Sequence, residues 1–296
     1  MNDRTPAAGA APVPPPSPSP AAARADARAL AAMDVAAHLA DPARKQAFVT
    51  PMFDVIAPRY DDFTRLFSFG MDARWKERAI AAAVSALHGL PAGDVAPSGL
   101  ARTGRLAVDL ACGTGDLAVG VARRARAQHP GLRVLGVDAA QAMVRHARHR
   151  LATVDADVAA VVHVAHGDMT AIALPDASAD VVTAGYAVRN APDARLAIRE
   201  AARVLRTGGT YVTLDFYRPA LAPWRALLLT YLRVAGDVVG WTWHRSPVVY
   251  GYIARSIEQF MSWQAFSAEL AANGFRVRSV TRWLGGGVAL HVAERT

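Results

Sequence analysis

The sequence predicts an α/β fold, a doubly wound and mostly parallel sheet with helices on both faces. Three observations carry that prediction. First, the apolar run Leu106–Leu110 enters Cys112-Gly113-Thr114-Gly115, and an apolar-periodic stretch begins at Asp116. Strand, glycine turn and helix make the first half of a nucleotide-binding βαβ unit. Second, short apolar runs alternate with helix-period stretches from Arg105 onward, the pattern of a parallel sheet. Third, acids stand at three successive strand ends: Asp109, Asp138 and Asp168.

In chain order, residues 1–43 form a Pro/Ala-rich tail that includes Pro14-Pro15-Pro16. Such a segment buries too little apolar surface to offset its chain entropy and is expected to be disordered. It has no apolar core of a secretory signal. A weak Ala-rich helix is expected over 27–40, and the folded domain over 44–296. Residues 44–90 are dense in apolar and aromatic side chains, punctuated by Pro58 and Gly70. They read as short helices covering the mouth of the main domain. Residues 91–103 are a polar connector.

The core, 105–216, has expected strands at 106–110, 133–137, 161–165, 180–185 and 210–216. Its helices are expected near 116–128, 140–151 and 193–205. Leu205-Arg-Thr-Gly-Gly209 reads as a helix stop and a tight turn. Residues 217–296 hold a lid and a C-terminal hairpin. Leu221–Val239 is apolar but interrupted by Arg225, Arg233 and Asp237, so it is an amphipathic helix, not a membrane span. Residues 256–273 read as a second helix, stopped by Gly274. Arg276–Trp283 and Gly287–Val292 then complete a sheet of seven strands.

Composition narrows the partners. The net charge is +8, and Lys45 and Lys76 are the only lysines. The Ala and Arg richness reads first as coding bias. The surplus charge also suits contact with an anionic membrane surface. No Lys/Arg block interrupts the chain, so nucleic acid is not an expected partner. Cys112 is the single cysteine. It excludes an internal disulfide and fits a reducing compartment, hence a cytoplasmic protein, peripheral to the inner membrane if it meets a membrane at all.

The glycine spacing Gly113-x-Gly115-x-x-Ala118 also fits a dinucleotide site. Asp109 decides between the two. An acid just before the turn suits a ligand with a cation there and repels a pyrophosphate. S-adenosylmethionine carries an ammonium and a sulfonium at that end and no phosphate, so it is the expected cofactor. Gly113, Thr114 and Gly115 would carry it on the backbone. Asp138, followed by Ala139, lies about 20 residues past the turn, where an acid accepts from ribose hydroxyls. Asp also caps helices, and the two roles are compatible. Asp168 would accept from the adenine amine, with Met169 on the ring.

At the end of the fourth strand stand Gly185, Arg189 and Asn190, on the side where sheet ligands bind. A guanidinium does not lose its proton in proteins, so Arg189 cannot be a base. It would stabilise a phenolate or orient a water, and Asn190 would bind substrate oxygen or hold the Arg189 loop. Tyr60 and Asp61 would close over the methionine end of the cofactor. His291 is the one histidine in a context suited to proton transfer, against the competing reading of a buried structural residue. His146-x-x-His149 reads as a solvated helix face, and no metal site is expected.

These segments together resemble a family. Met52-Phe-Asp-Val-Ile-Ala-Pro-Arg-Tyr-Asp61, Ser68-Phe-Gly70 with Trp75-Lys76, and Asp109–Leu117 are similar to the class I S-adenosylmethionine methyltransferases of ubiquinone and menaquinone biosynthesis. Val188-Arg-Asn190, Arg203–Gly209, Tyr252-x-x-Ala-x-Ser256 and Gly287-Val-Ala-Leu-His291 extend the likeness. The resemblance implies a Rossmann-like methyltransferase sheet and methyl transfer to a ring carbon of a quinol. It implies cofactor contacts at Thr114, Asp138, Asp168, Met169 and the position of Gly185. It assigns Arg189, Asn190 and Tyr60 to a substrate-activating network. It leaves room for a homodimer. The Pro-rich tail, Gly185 where a Ser is common, and the ending Val292-Ala-Glu-Arg-Thr296 depart from the pattern. They keep open O- or N-methylation of another aromatic compound. An NAD-dependent oxidoreductase has only the glycine spacing in its favour.

Overall fold

The computed structural model describes residues 41–89, 104–244 and 248–296. Residues 1–40, with the expected helix at 27–40, and the whole connector 91–103 lie outside the described residues.

Three helices precede the sheet: α1 (Pro42–Ile56), α2 (Tyr60–Phe67) and α3 (Met71–His88). A one-turn 3-10 segment, Ala57–Arg59, joins the first two. Pro58 sits at its start, where a missing N–H costs nothing. The third helix is fastened at its start by Ser68. Its hydroxyl donates to Asp72 Oδ1 at 2.9 Å and accepts from the Asp72 N–H at 3.2 Å.

The core alternates as expected: β1 (Leu106–Leu110), α4 (Asp116–Ala125), β2 (Arg133–Asp138), α5 (Gln141–Leu151), the short α6 (Ala156–Ala159), β3 (Val162–His166), β4 (Ala179–Gly185), α7 (Ala194–Val204) and β5 (Leu205–Phe216). Then come α8 (Ala222–His244), α9 (Val248–Gln259), α10 (Trp263–Ala272), β6 (Phe275–Trp283) and β7 (Val288–Arg295).

Three differences from the sequence reading exceed three residues. The fifth strand starts at Leu205 rather than 210, because Leu205 already pairs with Ala179 before the ladder resumes at Val181 and Thr210. Gly208, at φ +80°, turns the chain between the two registers. The single helix expected over 256–273 is two, because Ser262 starts a new one by accepting from the Ala265 N–H at 3.3 Å. The lid helix α8 runs on to His244.

The sheet order is β3-β2-β1-β4-β5-β7-β6. The first five strands pair in parallel, and β7 is antiparallel to both β5 and β6. Strand β7 thus wedges between β5 and β6, a placement that alternating hydrophobicity alone does not reveal. One face of the sheet packs on α3 and α4 through Trp75, Leu117 and Val121, and the other on α7 and α10 through Ile198 and Phe266. A third apolar cluster, including Phe48, Met52, Phe63, Leu232 and Tyr252, joins the N-terminal helices to α8 and α9 above the strand ends. Burial on that scale, at about 25 cal/mol per Å2 of apolar surface, holds the cover down. Among the described residues no helix is long and apolar enough to cross a membrane.

Candidate active site

Three adjoining cavities open at the carboxyl ends of β1, β2 and β4. The first, about 620 Å3, is lined by Gly113, Asp138, Ala139, Asp168, Met169, Gly185, Phe53 and Asn190, among others. The second, about 650 Å3, is walled by Met52, Phe63, Phe67, Phe216 and Leu232, with Thr64, Ser68, Asp72, Arg189 and Asn190 among its polar members. The third, about 370 Å3, lies beside Lys76, Asp109, Thr114 and Asp116. Tyr60 and Tyr186 line all three.

The glycine turn is shaped by its own backbone. Gly113 and Gly115 have φ +55° and +87°, values that favour residues without a Cβ. A Cβ on Gly113 would meet only Tyr60 Cε1, at 4.0 Å, so open space lies over this residue. Gly115 lines none of the cavities. It precedes α4 and approaches Ala147, which a Cβ would meet at 3.5 Å, so the turn and this packing account for a glycine here.

Each strand-end acid is held before any ligand arrives. Asp109 accepts from Thr183 Oγ1 at 2.7 Å and from the Ala118 N–H at 3.1 Å. Burial nevertheless raises it to about 7, its hydrogen bonds notwithstanding. Asp138 accepts from the Gly113 N–H at 2.8 Å through one oxygen and from the Ala140 N–H at 2.8 Å through the other. Burial raises it too. It therefore ties the glycine turn of β1 to the end of β2, the cap role and the wall of the first cavity falling on one residue. Each carboxylate oxygen has two lone pairs, so a ribose hydroxyl still finds an acceptor. At Asp168 both internal bonds, from the Thr170 N–H and Oγ1 at 2.8 Å, fall on Oδ1.

Gly185 sits tight against α4, where a Cβ would meet Leu117 Cδ1 at 2.7 Å. A serine at this position requires Leu117 to move, which accounts physically for the glycine here.

Arg189 is buried and lines the second cavity. Its guanidinium bonds Ser256 Oγ and pairs with Asp215 at 3.4 Å, and Asp215 Oδ2 also accepts from the Arg189 N–H at 3.0 Å. Lys45 donates to the Arg189 carbonyl at 2.8 Å, and burial lowers that lysine to about 8. Asn190 donates to the Tyr186 carbonyl at 2.8 Å and accepts from Tyr252 Oη at 3.0 Å. Tyr60 is pushed up to about 12 by burial, so it is a donor at neutral pH.

The structure does not bring His291 to these cavities. It is fully buried on β7, within 3.3 Å of Tyr217 Oη, 3.0 Å of Ser267 Oγ and 3.2 Å of the Trp263 carbonyl. Burial lowers it to about 4. Proton transfer at His291 is therefore corrected to the structural reading. Sequence reasoning missed Tyr186, Phe53, Lys76, Asp116 and Asp215. Phe53, Lys76 and Asp116 fall inside the segments Met52–Asp61, Trp75-Lys76 and Asp109–Leu117 that carry the family resemblance, without a role assigned to them, and Asp215 falls in none of those segments.

A seven-stranded sheet with antiparallel β7, a glycine turn after β1 and acids at β1 and β2 define a class I methyltransferase. The family model of the ubiE/COQ5 methyltransferases matches residues 41–295. The chain belongs to that family and is an S-adenosylmethionine-dependent methyltransferase. The demethylmenaquinone methyltransferase of Thermus thermophilus is 34% identical over 244 residues, covering 82% of this chain and 100% of the relative. The ubiquinone/menaquinone biosynthesis C-methyltransferase UbiE of Caulobacter vibrioides is 31% identical, covering 85% and 93%. A solved Haloferax volcanii methyltransferase, in complex with the Trm112 methyltransferase activator, shares the fold. It has TM-score 0.50, 22% identity and coverage of 82% and 96%.

The residues present fit the cofactor. The open space over Gly113, the acceptors Asp138 and Asp168 in one cavity and the acid Asp109 beside the next suit an adenosine joined to a cationic amino-acid end.

Proposed function

We propose that the protein methylates a ring carbon of a demethylated quinol, of the demethylmenaquinol or demethylubiquinol type. The observation that carries this reading is the second cavity. Its walls are apolar enough for a ring with a prenyl tail, Arg189, Asn190 and Asp72 are among its polar members, and it shares Phe53, Tyr60, Tyr186 and Asn190 with the first. The names of the relatives point the same way.

S-adenosylmethionine supplies an electrophilic methyl group when bound. The chain's own residues do the rest. Asp138, Ala139, Asp168, Met169 and Gly185 line the adenosine side, and Asp109 and Thr114 the amino-acid side. Asp215 offsets the charge of Arg189. Arg189 thus offers fixed donors to a ring oxygen more than net charge, a preorganised arrangement that needs little reorganisation during reaction. Tyr60 keeps its proton and donates as well. A ring oxygen held by such donors gives up its proton to water more readily, which enriches the ring carbon beside it, and the hydrogen on that carbon leaves as a proton to water once the new carbon–methyl bond has formed. The apolar cover excludes bulk water and fixes the approach.

The test is methyl transfer from labelled S-adenosylmethionine to short-tailed demethylmenaquinol and demethylubiquinol, beside simple phenols and aromatic amines. Mass spectrometry locates the label. A new ring C–methyl bond supports the reading. Label on oxygen or nitrogen, or none on either quinol, overturns it.

A further inference from the structure

Tyr186 stands where the three cavities meet, against the preference of its own backbone. Its φ is +57°, an outlier for an aromatic residue. Strain of this kind persists where the surroundings over-determine it, and it clusters at ligand sites. Here its N–H donates to the Leu214 carbonyl at 2.6 Å, its carbonyl accepts from Asn190, and its ring lies 5.4 Å from that of Phe216.

The residue so placed is 7% exposed, and its hydroxyl is closed to water and has no hydrogen-bond partner. Most polar side chains around the second cavity are already engaged: Ser68 with Asp72, Arg189 with Ser256, Asn190 with Tyr252. Asp72, Tyr60 and Asp215 are the ionisable groups that face the Tyr186 phenol, and burial raises it well above its ordinary value. It is a permanent donor at neutral pH. A buried donor without an acceptor is costly to the folded chain, so a strained backbone that holds one at a cavity junction points to a ligand.

We propose that the Tyr186 hydroxyl binds an oxygen on the acceptor ring and makes the enzyme select rings that carry it. This rests on reading the second cavity as the acceptor site. A site with a buried donor rejects an analogue lacking the matching oxygen, because the donor is then left unpaired.

Tyr186→Phe removes only the hydroxyl and keeps ring, packing and backbone. The probes are short-tailed demethylmenaquinol and its two analogues that each lack one ring hydroxyl. For the quinol, kcat/KM falls about 10- to 100-fold in the variant, as expected for a lost buried hydrogen bond. For one of the two analogues it is unchanged, so discrimination against that analogue collapses. The melting temperature does not fall, and S-adenosylmethionine affinity stays within about twofold. Thermal shift by the same probes with S-adenosylhomocysteine present reads binding apart from turnover, and the variant loses the shift given by the quinol. An unchanged kcat/KM makes Tyr186 merely structural and overturns the proposal. So does a loss confined to cofactor affinity, which assigns the hydroxyl to the third cavity. A wild-type protein that binds the quinol but does not methylate its ring overturns the function proposed above while leaving Tyr186 to the binding measurement. One that does not bind the quinol overturns both.

Discussion

Thr114 Oγ1 donates a 2.8 Å hydrogen bond to Asp61 Oδ1 and so joins the glycine turn to the N-terminal cover. Asp61 also pairs with Arg150, Arg150 with Asp116, Asp116 with Lys76 at 2.6 Å, and Lys76 with Asp72 at 3.2 Å. This chain of charges runs from α2 across α5 and α4 to α3, beside the cavity that also holds Asp109. Arg150, Asp61 and Asp116 are partly exposed, so the Arg150 pairs alone contribute little, whereas the Lys76–Asp72 pair is largely buried. Together they set where the cover rests. Thr114→Val removes the one neutral link and leaves the ion pairs. We expect a loss of about 1 kcal/mol or less in global stability, but faster amide exchange across α1 and α2 and weaker cofactor binding. Unchanged exchange there means that the apolar cluster alone holds the cover.

Asp109 predicts opposite effects on stability and binding. Burial lifts it to about 7 against an ordinary 3.8. The folded state therefore binds more protons than the unfolded between those values, and the stability from this group is lost as pH rises through about 7. Asp109→Asn keeps an acceptor for the Ala118 N–H and can turn its amide to Thr183 Oγ1. Its melting temperature should exceed the wild type at pH 8, and the difference should shrink below pH 7. S-adenosylmethionine affinity should be lower in the variant, and in the wild type it should fall as pH drops below about 7. Calorimetry and thermal unfolding across pH 5–9 check both signs.

Asp138→Ala should weaken cofactor binding by roughly 1–3 kcal/mol, the range for hydrogen bonds to a charged acceptor. It also frees the Gly113 and Ala140 N–H groups, so stability should fall with it. Asp138→Asn, which keeps one acceptor oxygen, should lose less of each. Equal cofactor affinity in all three proteins, measured by calorimetry, would leave Asp138 a helix cap alone.

The glycine turn and the strand-end acids were legible in the sequence because they are local. Asp109, Gly113, Asp138 and Asp168 lie at strand ends, and their spacing announces the turn. The partners of Arg189, Asn190 and Asp61 are not local. Asp215 reaches Arg189 from the next strand, Tyr252 reaches Asn190 from α9, and Arg150 reaches Asp61 from α5. No spacing encodes those meetings. Tyr186 was missed because a positive φ at a non-glycine residue leaves no trace in composition. His291 misled because a buried histidine and a proton carrier look alike until the neighbours are known.

His291 should matter for stability in acid and not for turnover. Burial lowers it to about 4 from 6.5. The unfolded chain thus binds the extra proton first, and stability is lost as pH falls from about 6.5 to 4, by up to about 3 kcal/mol. His291→Gln retains hydrogen-bonding groups for Ser267 and Tyr217. It should keep the wild-type kcat at pH 7.5 and unfold less readily at pH 4.5. A kcat loss of tenfold or more without unfolding would restore a chemical role.

Arg189 needs a double variant, because the structure makes the single one ambiguous. Arg189→Ala leaves Asp215 buried, at 0% exposure, without its cation. Breaking a buried pair in this way costs about 3–5 kcal/mol, so lost activity in that variant reports unfolding as much as chemistry. Arg189→Met with Asp215→Asn replaces both charges and keeps volume near α9 and Phe216. Its stability should recover most of the loss, since a buried ion pair contributes little net over a well-packed neutral one. Single-turnover methyl transfer to an accepted quinol should remain at least about a hundredfold slow, because the fixed donors toward the ring oxygen are gone. Cofactor affinity should change little, since Arg189 lines the second cavity and the adenosine side is held from β1 and β2. Arg189→Lys keeps a charge for Asp215 but offers a point donor in place of a planar fork, so it should fold normally and recover turnover only in part. If the double variant transfers methyl at the wild-type rate, Arg189 is a structural partner of Asp215, and ring-oxygen binding passes to Tyr60 and Asn190.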